Sequence, residues 1–149
     1  MSQLKPLLVG QAPGWRGDGE PLSGDAGRRL SALCGMSLDD FLARFDRVNA
    51  GEIYPGKAGR GDALPAVPPE RVEALVVMML ARRRVVLLGR HVARVLGYAR
   101  EPLFAWDEPF GPFTRIAVVP HPSGRSRWWN SAENRAQAKA FFRSLAALK

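Results

Sequence analysis

The sequence predicts an α/β protein with three layers, α/β/α, around a central and mostly parallel sheet of four strands. Two observations predict this class. Short apolar runs alternate with segments of helical periodicity, and continuous apolar runs are typical of strands buried on both faces of a parallel sheet. Hydrophobic residues make up 46% of the 149 residues, which is enough for one core, so we expect one domain over residues 1–149. The strands are predicted at Leu4–Val9, Arg47–Ala50, Val85–Leu88 and Arg115–Val119.

The helices between these strands are predicted from spacing and from boundary residues. They are Gly24–Leu33, Leu38–Phe45, a helix opened by Pro68 and Pro69, His91–Leu96 and a C-terminal helix. Gly35 follows the first helix at a position where helices typically stop. The arginine triplet 82–84 is predicted to close the third helix, and Asn130 with Glu133 resembles a capping box for the last one. The segment Gly51–Pro69 is rich in glycine and proline and predicts a long loop.

Charge and cysteine content limit the classes of function. The chain has 22 Lys and Arg against 14 Asp and Glu, a formal net charge of +8. This excess favours a polyanionic partner such as DNA, although an arginine-rich composition can also have no functional cause. The single Cys34 excludes an intrachain disulfide and a cysteine-held cluster, so we expect no metal and no cofactor. No apolar run is long enough to span a bilayer and no signal peptide is evident, so we expect a cytoplasmic protein without a membrane partner.

Four loops, after Val9, Val48, Leu88 and Val119, follow the predicted strands. They are candidates for a ligand site, because ligands of parallel sheets bind at the carboxyl ends of the strands. The loop Gly10–Trp15 has glycines and a proline that shape a tight turn, without a Walker or dinucleotide motif. The loop His121–Asn130 groups a histidine, two serines, two arginines and two tryptophans. Serine contacts phosphate, arginine and tryptophan stack on or wedge between bases, and histidine donates to a carbonyl that gains negative charge. The loop His121–Asn130 therefore predicts contact with DNA. The structural alternative is that its tryptophans cover the core and its histidine is hydrogen-bonded within the protein. His91 is expected to be structural.

Five segments stand in a fixed order along the chain. They are Gly10-Gln11-Ala12-Pro13-Gly14, Gly19–Leu30, Val48-Asn49 with Pro55-Gly56, Val86–Gly89 with Ala93 and Leu96-Gly97, and His121-Pro122-Ser123. In this order they resemble the motifs of the uracil-DNA glycosylase superfamily. The first two segments resemble its iron–sulfur branch, family 4, in particular, although the cysteines of that branch are absent here.

The resemblance implies a monofunctional DNA glycosylase that flips a base out of DNA and hydrolyses its N-glycosidic bond, leaving an abasic site. The base would be uracil or a related deaminated or modified base, in single- or double-stranded DNA, and the enzyme would be a monomer. By the same resemblance, Asn49 hydrogen-bonds the edge of the base and His121 donates to the pyrimidine O2. Gln11 helps to position water or base, Ser123 holds a phosphate, and Arg125 fills the space left in the duplex.

The implied substrate pocket also departs from the family pattern. Ala12 stands where many members have an Asp or Asn that orients the attacking water, as it also does in family 4. Leu22 stands where the family usually has an aromatic ring that stacks on the base, and Trp15 is an alternative residue for that role. Gly14 stands where the most uracil-selective branch has a tyrosine that excludes a 5-methyl group. The predicted base-binding residues are Ala12, Gly14, Trp15, Leu22 and Asn49, and the predicted DNA-binding residues are Ser123, Gly124, Arg125, Ser126 and Arg127. A DNA-binding protein without chemistry and a small-ligand α/β protein are the two alternative functions.

Overall fold

Parallel strands with helices on both faces form the part of the chain that the computed structural model describes, which is residues 4–13, 21–53, 55–59, 61–62, 64–98, 103–107, 110–122 and 127–148. Within these ranges four strands build the central sheet and five α-helices cover it. The predicted three-layer α/β/α class is confirmed.

The predicted elements are present with boundaries shifted by a few residues. In chain order they are β1 Leu7–Gly10, α1 Asp25–Cys34, α2 Leu38–Arg44, β2 Asp46–Asn49, β3 Lys57–Ala58, β4 Gly61–Asp62, α3 Pro69–Leu80, β5 Arg84–Leu88, α4 Arg90–Val95, β6 Arg115–Val119, a 3-10 turn Arg127–Asn130 and α5 Ala132–Ala146. The small antiparallel pair β3–β4 lies inside the segment that we predicted to be a loop throughout. Strands of two residues are too short to show a periodic pattern, so the sequence does not reveal them.

The order of the strands places a crevice at the middle of the sheet. The order is β2-β1-β5-β6, and every pair is parallel. The chain runs from β1 outward to β2, and then crosses back past β1 to β5 and on to β6. In doubly wound sheets of this kind, ligands bind beyond the carboxyl ends of the strands, at the point where the strand order reverses. Here that point lies between β1 and β5.

The two helical layers bury separate halves of the core. On one face, α3 and α4 contribute Leu75, Met79 and Val92 to the cluster around the sheet. On the other face, α1 and α5 bury Leu30 and Phe142, together with side chains of α2. The near-continuous apolar runs of β1 and β5 follow from this burial on both faces.

Two predicted helix boundaries are wrong. The hydroxyl of Ser131, and not Asn130, caps α5 by accepting a hydrogen bond from the Asn134 amide at 3.2 Å. Asn130 instead ends the 3-10 turn that precedes the helix. The arginine triplet does not close α3, because that helix ends at Leu80 and the third arginine opens β5. Arg82 pairs with the carboxylate of β2 Asp46, so it joins two elements and is not a solvated helix end.

The outer edges of the sheet differ in sequence and are covered in different ways. Beside the apolar β6, the segment 103–107 forms two backbone hydrogen bonds: the Phe104 amide donates to Val118 O at 2.9 Å and the Asp107 amide to Ile116 O at 3.0 Å. The other edge is β2, which has only four residues, and its Arg47 donates to the carbonyl of Pro21 at 2.7 Å. Among the described residues, no helix combines the length and apolar character that crossing a membrane requires.

Candidate active site

Asn49 lies over the end of the neighbouring central strand. It is the last residue of β2, it is paired in register with Gly10 of β1, and it is only 7% exposed. A Cβ atom built on Gly10 would stand 2.6 Å from Asn49 Oδ1, which is closer than real Cβ contacts. The side-chain amide can occupy this position because residue 10 has no side chain.

His121 has the same relation to the other central strand. It follows β6 after one residue, and a Cβ atom built on Gly89 would stand 3.2 Å from His121 Cβ and 3.5 Å from its Cδ2. Gly89 comes directly after β5, and its amide donates to Val119 O at 2.7 Å. Its φ of +110° lies in the region that favours glycine. Glycine at this position therefore gives both the backbone turn and the space that the imidazole covers.

Asn49 and His121 thus lie over the ends of the two central strands, although each follows an outer strand. Three strand spacings separate β2 from β6, roughly 14 Å, but β1 and β5 are neighbours at about 4.8 Å. Asn49 covers the end of β1 and His121 covers the end of β5. The structure thus places two predicted catalytic residues over adjacent strands, at the point where the strand order reverses.

Leu22 joins this group from the loop that leads into α1. Its Cδ2 lies 3.7 Å from the Cβ position of Gly10, so it contacts the same strand end as Asn49. The Leu22 backbone has a φ of +59°, which is unusual for a residue with a side chain. Its carbonyl oxygen would lie 1.7 Å from a Cβ atom on Gly27. The loop therefore depends on glycine at position 27 of α1 to pack this closely.

Gln11 is held beside Asn49 by backbone pairing that continues beyond the strands. The Ala50 amide donates to Gly10 O at 2.8 Å, and the Gly51 amide donates to Gln11 O at 2.9 Å. Gln11 and the next residue, Ala12, are both half-buried. The loops after β1 and β2 therefore leave the sheet side by side. The predicted residues Gln11 and Asn49 both lie at the carboxyl ends of these two paired strands.

Arg71 of α3 is a structural support of this site that the sequence did not reveal. Its Nη2 donates to Asn49 O at 2.8 Å and its Nε to Ala50 O at 3.4 Å. Its Nη1 also forms an ion pair with Glu52 at 3.1 Å. The guanidinium holds the backbone that carries Asn49, and its side chain is only 16% exposed. Nothing in the local sequence separates this arginine from those on other helix surfaces.

The tryptophans of the last loop support the fold, as the structural alternative anticipated. Trp129 is buried, and its Nε1 donates to His121 O at 2.8 Å. Trp128 is half-buried and stacks on Phe104 with ring centroids 5.2 Å apart. The buried Trp129 is thus not presented for stacking on a base, and Phe104 occupies one face of Trp128, whereas Arg127 is exposed.

The second histidine and the single cysteine both have structural surroundings. His91 Nε2 lies 3.1 Å from Pro65 O, in agreement with the structural role that we expected. Burial raises the pKa of the Cys34 thiol to about 11, partly opposed by the charge of Arg143, so the thiol is not an activated nucleophile. The described residues contain no group of His, Cys, Asp and Glu side chains that could hold a metal ion. The predicted residues Gly14, Trp15, Ser123, Gly124, Arg125 and Ser126 lie outside the described residues.

The fold and the site define the class first: a doubly wound α/β protein with an amide and an imidazole side chain over adjacent strand ends. The family model of the uracil DNA glycosylase superfamily matches residues 1–146. The chain therefore belongs to the uracil DNA glycosylase superfamily, and the resemblance to this superfamily is confirmed. Membership supports a DNA glycosylase role in general, with DNA as the partner. A comparison with curated proteins gives no match.

Proposed function

We propose that this protein hydrolyses the N-glycosidic bond of uracil, or of a related deaminated or modified base in DNA, and leaves an abasic site. One observation supports this function above the others: Asn49 and His121 cover adjacent strand ends in a chain of this superfamily. A base inside a duplex is out of reach of these side chains. The target base must therefore be extruded, at a cost of a few kcal/mol.

The chemistry assigns a role to each of these groups. When the glycosidic bond breaks, its electron pair goes to the base and the sugar gains positive character. The attacking water then forms the new bond to the sugar, and the proton that it loses passes through solvent to neutralise the departed base anion. His121 donates a hydrogen bond to the pyrimidine O2, where negative charge develops, and comparable donors contribute roughly 3–4 kcal/mol. Asn49 hydrogen-bonds the edge of the base, and Gln11 positions water or base.

The surrounding residues are proposed to complete the pocket and the DNA contacts. Ala12 and Leu22 form part of its wall with Trp15, and Gly14 leaves room for a substituent at C5 of the base. Arg125 occupies the space that the base leaves. The proposed phosphate and strand contacts are Ser123, Gly124, Ser126 and Arg127. We further propose that residues 1–149 act as one domain, as a monomer in the cytoplasm.

A panel of oligonucleotides tests the proposal. Single- and double-stranded DNA carrying uracil, hypoxanthine, xanthine or a 5-substituted pyrimidine is incubated with the protein, and abasic sites are revealed by alkali cleavage. His121→Ala should lower the rate of base release by about 10²–10³-fold, which is typical of losing one such donor, and should leave DNA affinity unchanged. His91→Gln, a change of the other histidine, is the matched control and should retain the rate. No abasic product with any of these bases would refute the proposal.

A second candidate is a DNA-binding member of the superfamily with weak or no activity. Ala12 favours it because alanine cannot orient the attacking water, and Leu22 favours it because leucine packs more weakly on a base than an aromatic ring does. This candidate predicts salt-dependent DNA binding without release of a base. Base release that is lost in His121→Ala would exclude it.

A further inference from the structure

We propose that a basic groove beside the His121 loop binds the phosphodiester backbone of DNA next to the extruded nucleotide. The choice of DNA as the partner rests on the proposed function. The basic groove is a cavity of about 520 Å³ between α1, the 3-10 turn and α5. Its lining includes Arg29, Leu33, Trp129, Asn130, Arg135 and Lys139.

The lining is cationic and suits an anion. Three of the described lining residues are Arg or Lys, and no described lining residue is Asp or Glu. Arg135 and Lys139 are four residues apart on α5, so they lie on the same face, about 6 Å apart along the helix axis. Like charges at this spacing destabilise a helix. A phosphate between them relieves the repulsion, which favours an anionic occupant of the groove.

Trp129 fixes the positions of the two guanidinium groups. Arg135 Nη1 donates to Trp129 O at 2.7 Å, and the guanidinium of Arg29 lies 5.7 Å from the centre of the Trp129 ring. A guanidinium is planar and always charged, and its fork of N–H donors matches the geometry of a phosphate. Because these groups are already held in place, little side-chain freedom is lost when an anion binds.

The groove is also in the right place for the strand that carries the target base. Its wall, Trp129, donates a hydrogen bond to the carbonyl of His121 at 2.8 Å. The phosphates that flank an extruded nucleotide are covalently attached to it, so they must lie close to the residue that contacts its base. The groove and the base pocket thus fit one continuous strand.

Lys139 is the best residue for a test because it is exposed, whereas Arg135 also supports Trp129. The affinity of Lys139→Gln for fluorescent DNA without a damaged base is measured by anisotropy between about 50 and 200 mM salt. The slope of log K against log salt should fall in magnitude by about 0.9 for duplex DNA, or by about 0.7 for a single strand. Lys139→Arg should restore the slope of the wild type.

Arg94→Gln is the matched control. It removes one positive charge from an exposed helical position on α4, which packs against the opposite face of the sheet, and it should keep the slope of the wild type. Equal slopes for wild type and Lys139→Gln would overturn the proposal. An equal reduction in Lys139→Gln and Arg94→Gln, or no DNA binding by the wild type, would overturn it as well.

The same experiment separates this inference from the proposed function. The DNA contains no target base, so the slope is measured whether or not the protein releases bases. If the wild type binds DNA without releasing a base, the proposed function is refuted. The DNA-binding role of the groove would still be decided by the salt slopes of the wild type, Lys139→Gln and Arg94→Gln.

Discussion

The substitution Gly10→Ala tests the arrangement of the pocket with a single methyl group. The backbone of Gly10 lies outside the left-handed region, so alanine fits it without strain. The new Cβ atom would lie 2.6 Å from Asn49 Oδ1, whereas ordinary contact begins at 3.4 Å, so the amide must move by about 0.8 Å. A misplacement of about 1 Å can cost roughly 10²-fold in rate. We therefore expect base release to slow about 100-fold, which corresponds to about 2.7 kcal/mol in the activation barrier.

The assay for Gly10→Ala is single-turnover base release from a uracil-containing oligonucleotide, with saturating protein so that the rate reports the chemical step. Urea unfolding is measured in parallel, since overpacking of this kind costs about 1–3 kcal/mol of stability and the protein must remain folded during the assay. Gly24→Ala is the matched control, because a Cβ atom there has nothing within 4 Å, and it should keep the rate of the wild type. A folded Gly10→Ala protein with the wild-type rate would refute the view that Asn49 acts from its position over β1.

Three further predictions concern the supports of the site and the core. Arg71→Leu removes the donors to the backbone carbonyls of Asn49 and Ala50. The free energy of unfolding measured in urea should therefore fall by about 1–3 kcal/mol. An unchanged urea midpoint would contradict the structural role that we assign to this arginine. Gly27→Ala would bring a Cβ atom within 1.7 Å of Leu22 O, so the loop must shift, and both Tm and base release should decrease; wild-type values for both would show that the loop does not need glycine there. Burial raises the pKa of Cys34 from 9.0 to about 11, so between these pH values the unfolded thiol loses its proton before the folded one. The free energy of unfolding should therefore decline as the pH rises above about 9. Cys34→Ala removes the thiol and should show a smaller decline, and pH profiles that run parallel for the two proteins would mean that other groups cause it.

Local patterns predicted the helices and the four main strands because periodicity and apolar runs are properties of neighbouring residues. The same patterns failed where tertiary contacts decide between adjacent candidates. Asn130 and Ser131 are both good capping residues, and the 3-10 turn that contains Trp129 leaves the cap to Ser131. Arg71 was missed for a related reason, since the two carbonyls to which it donates lie 21 and 22 residues away in sequence.

The candidate site was predicted at the level of loops and not at the level of geometry. Family motifs and the rule for strand ends were enough to select Gln11, Asn49 and His121. The inward position of the last two over Gly10 and Gly89 depends on strand order and register, which no single segment encodes.

The covered edges of the sheet have a consequence for the protein at high concentration. An open edge strand is a template for pairing with another chain, and it is a common starting point for aggregation. Here the apolar strand β6 is shielded by the segment 103–107, and β2 is short and carries the charged Asp46 and Arg47. The strands that bear or lead to Asn49 and His121 are therefore protected from intermolecular β-pairing. The strand ends can therefore be open to a ligand while the edges of the sheet do not promote aggregation.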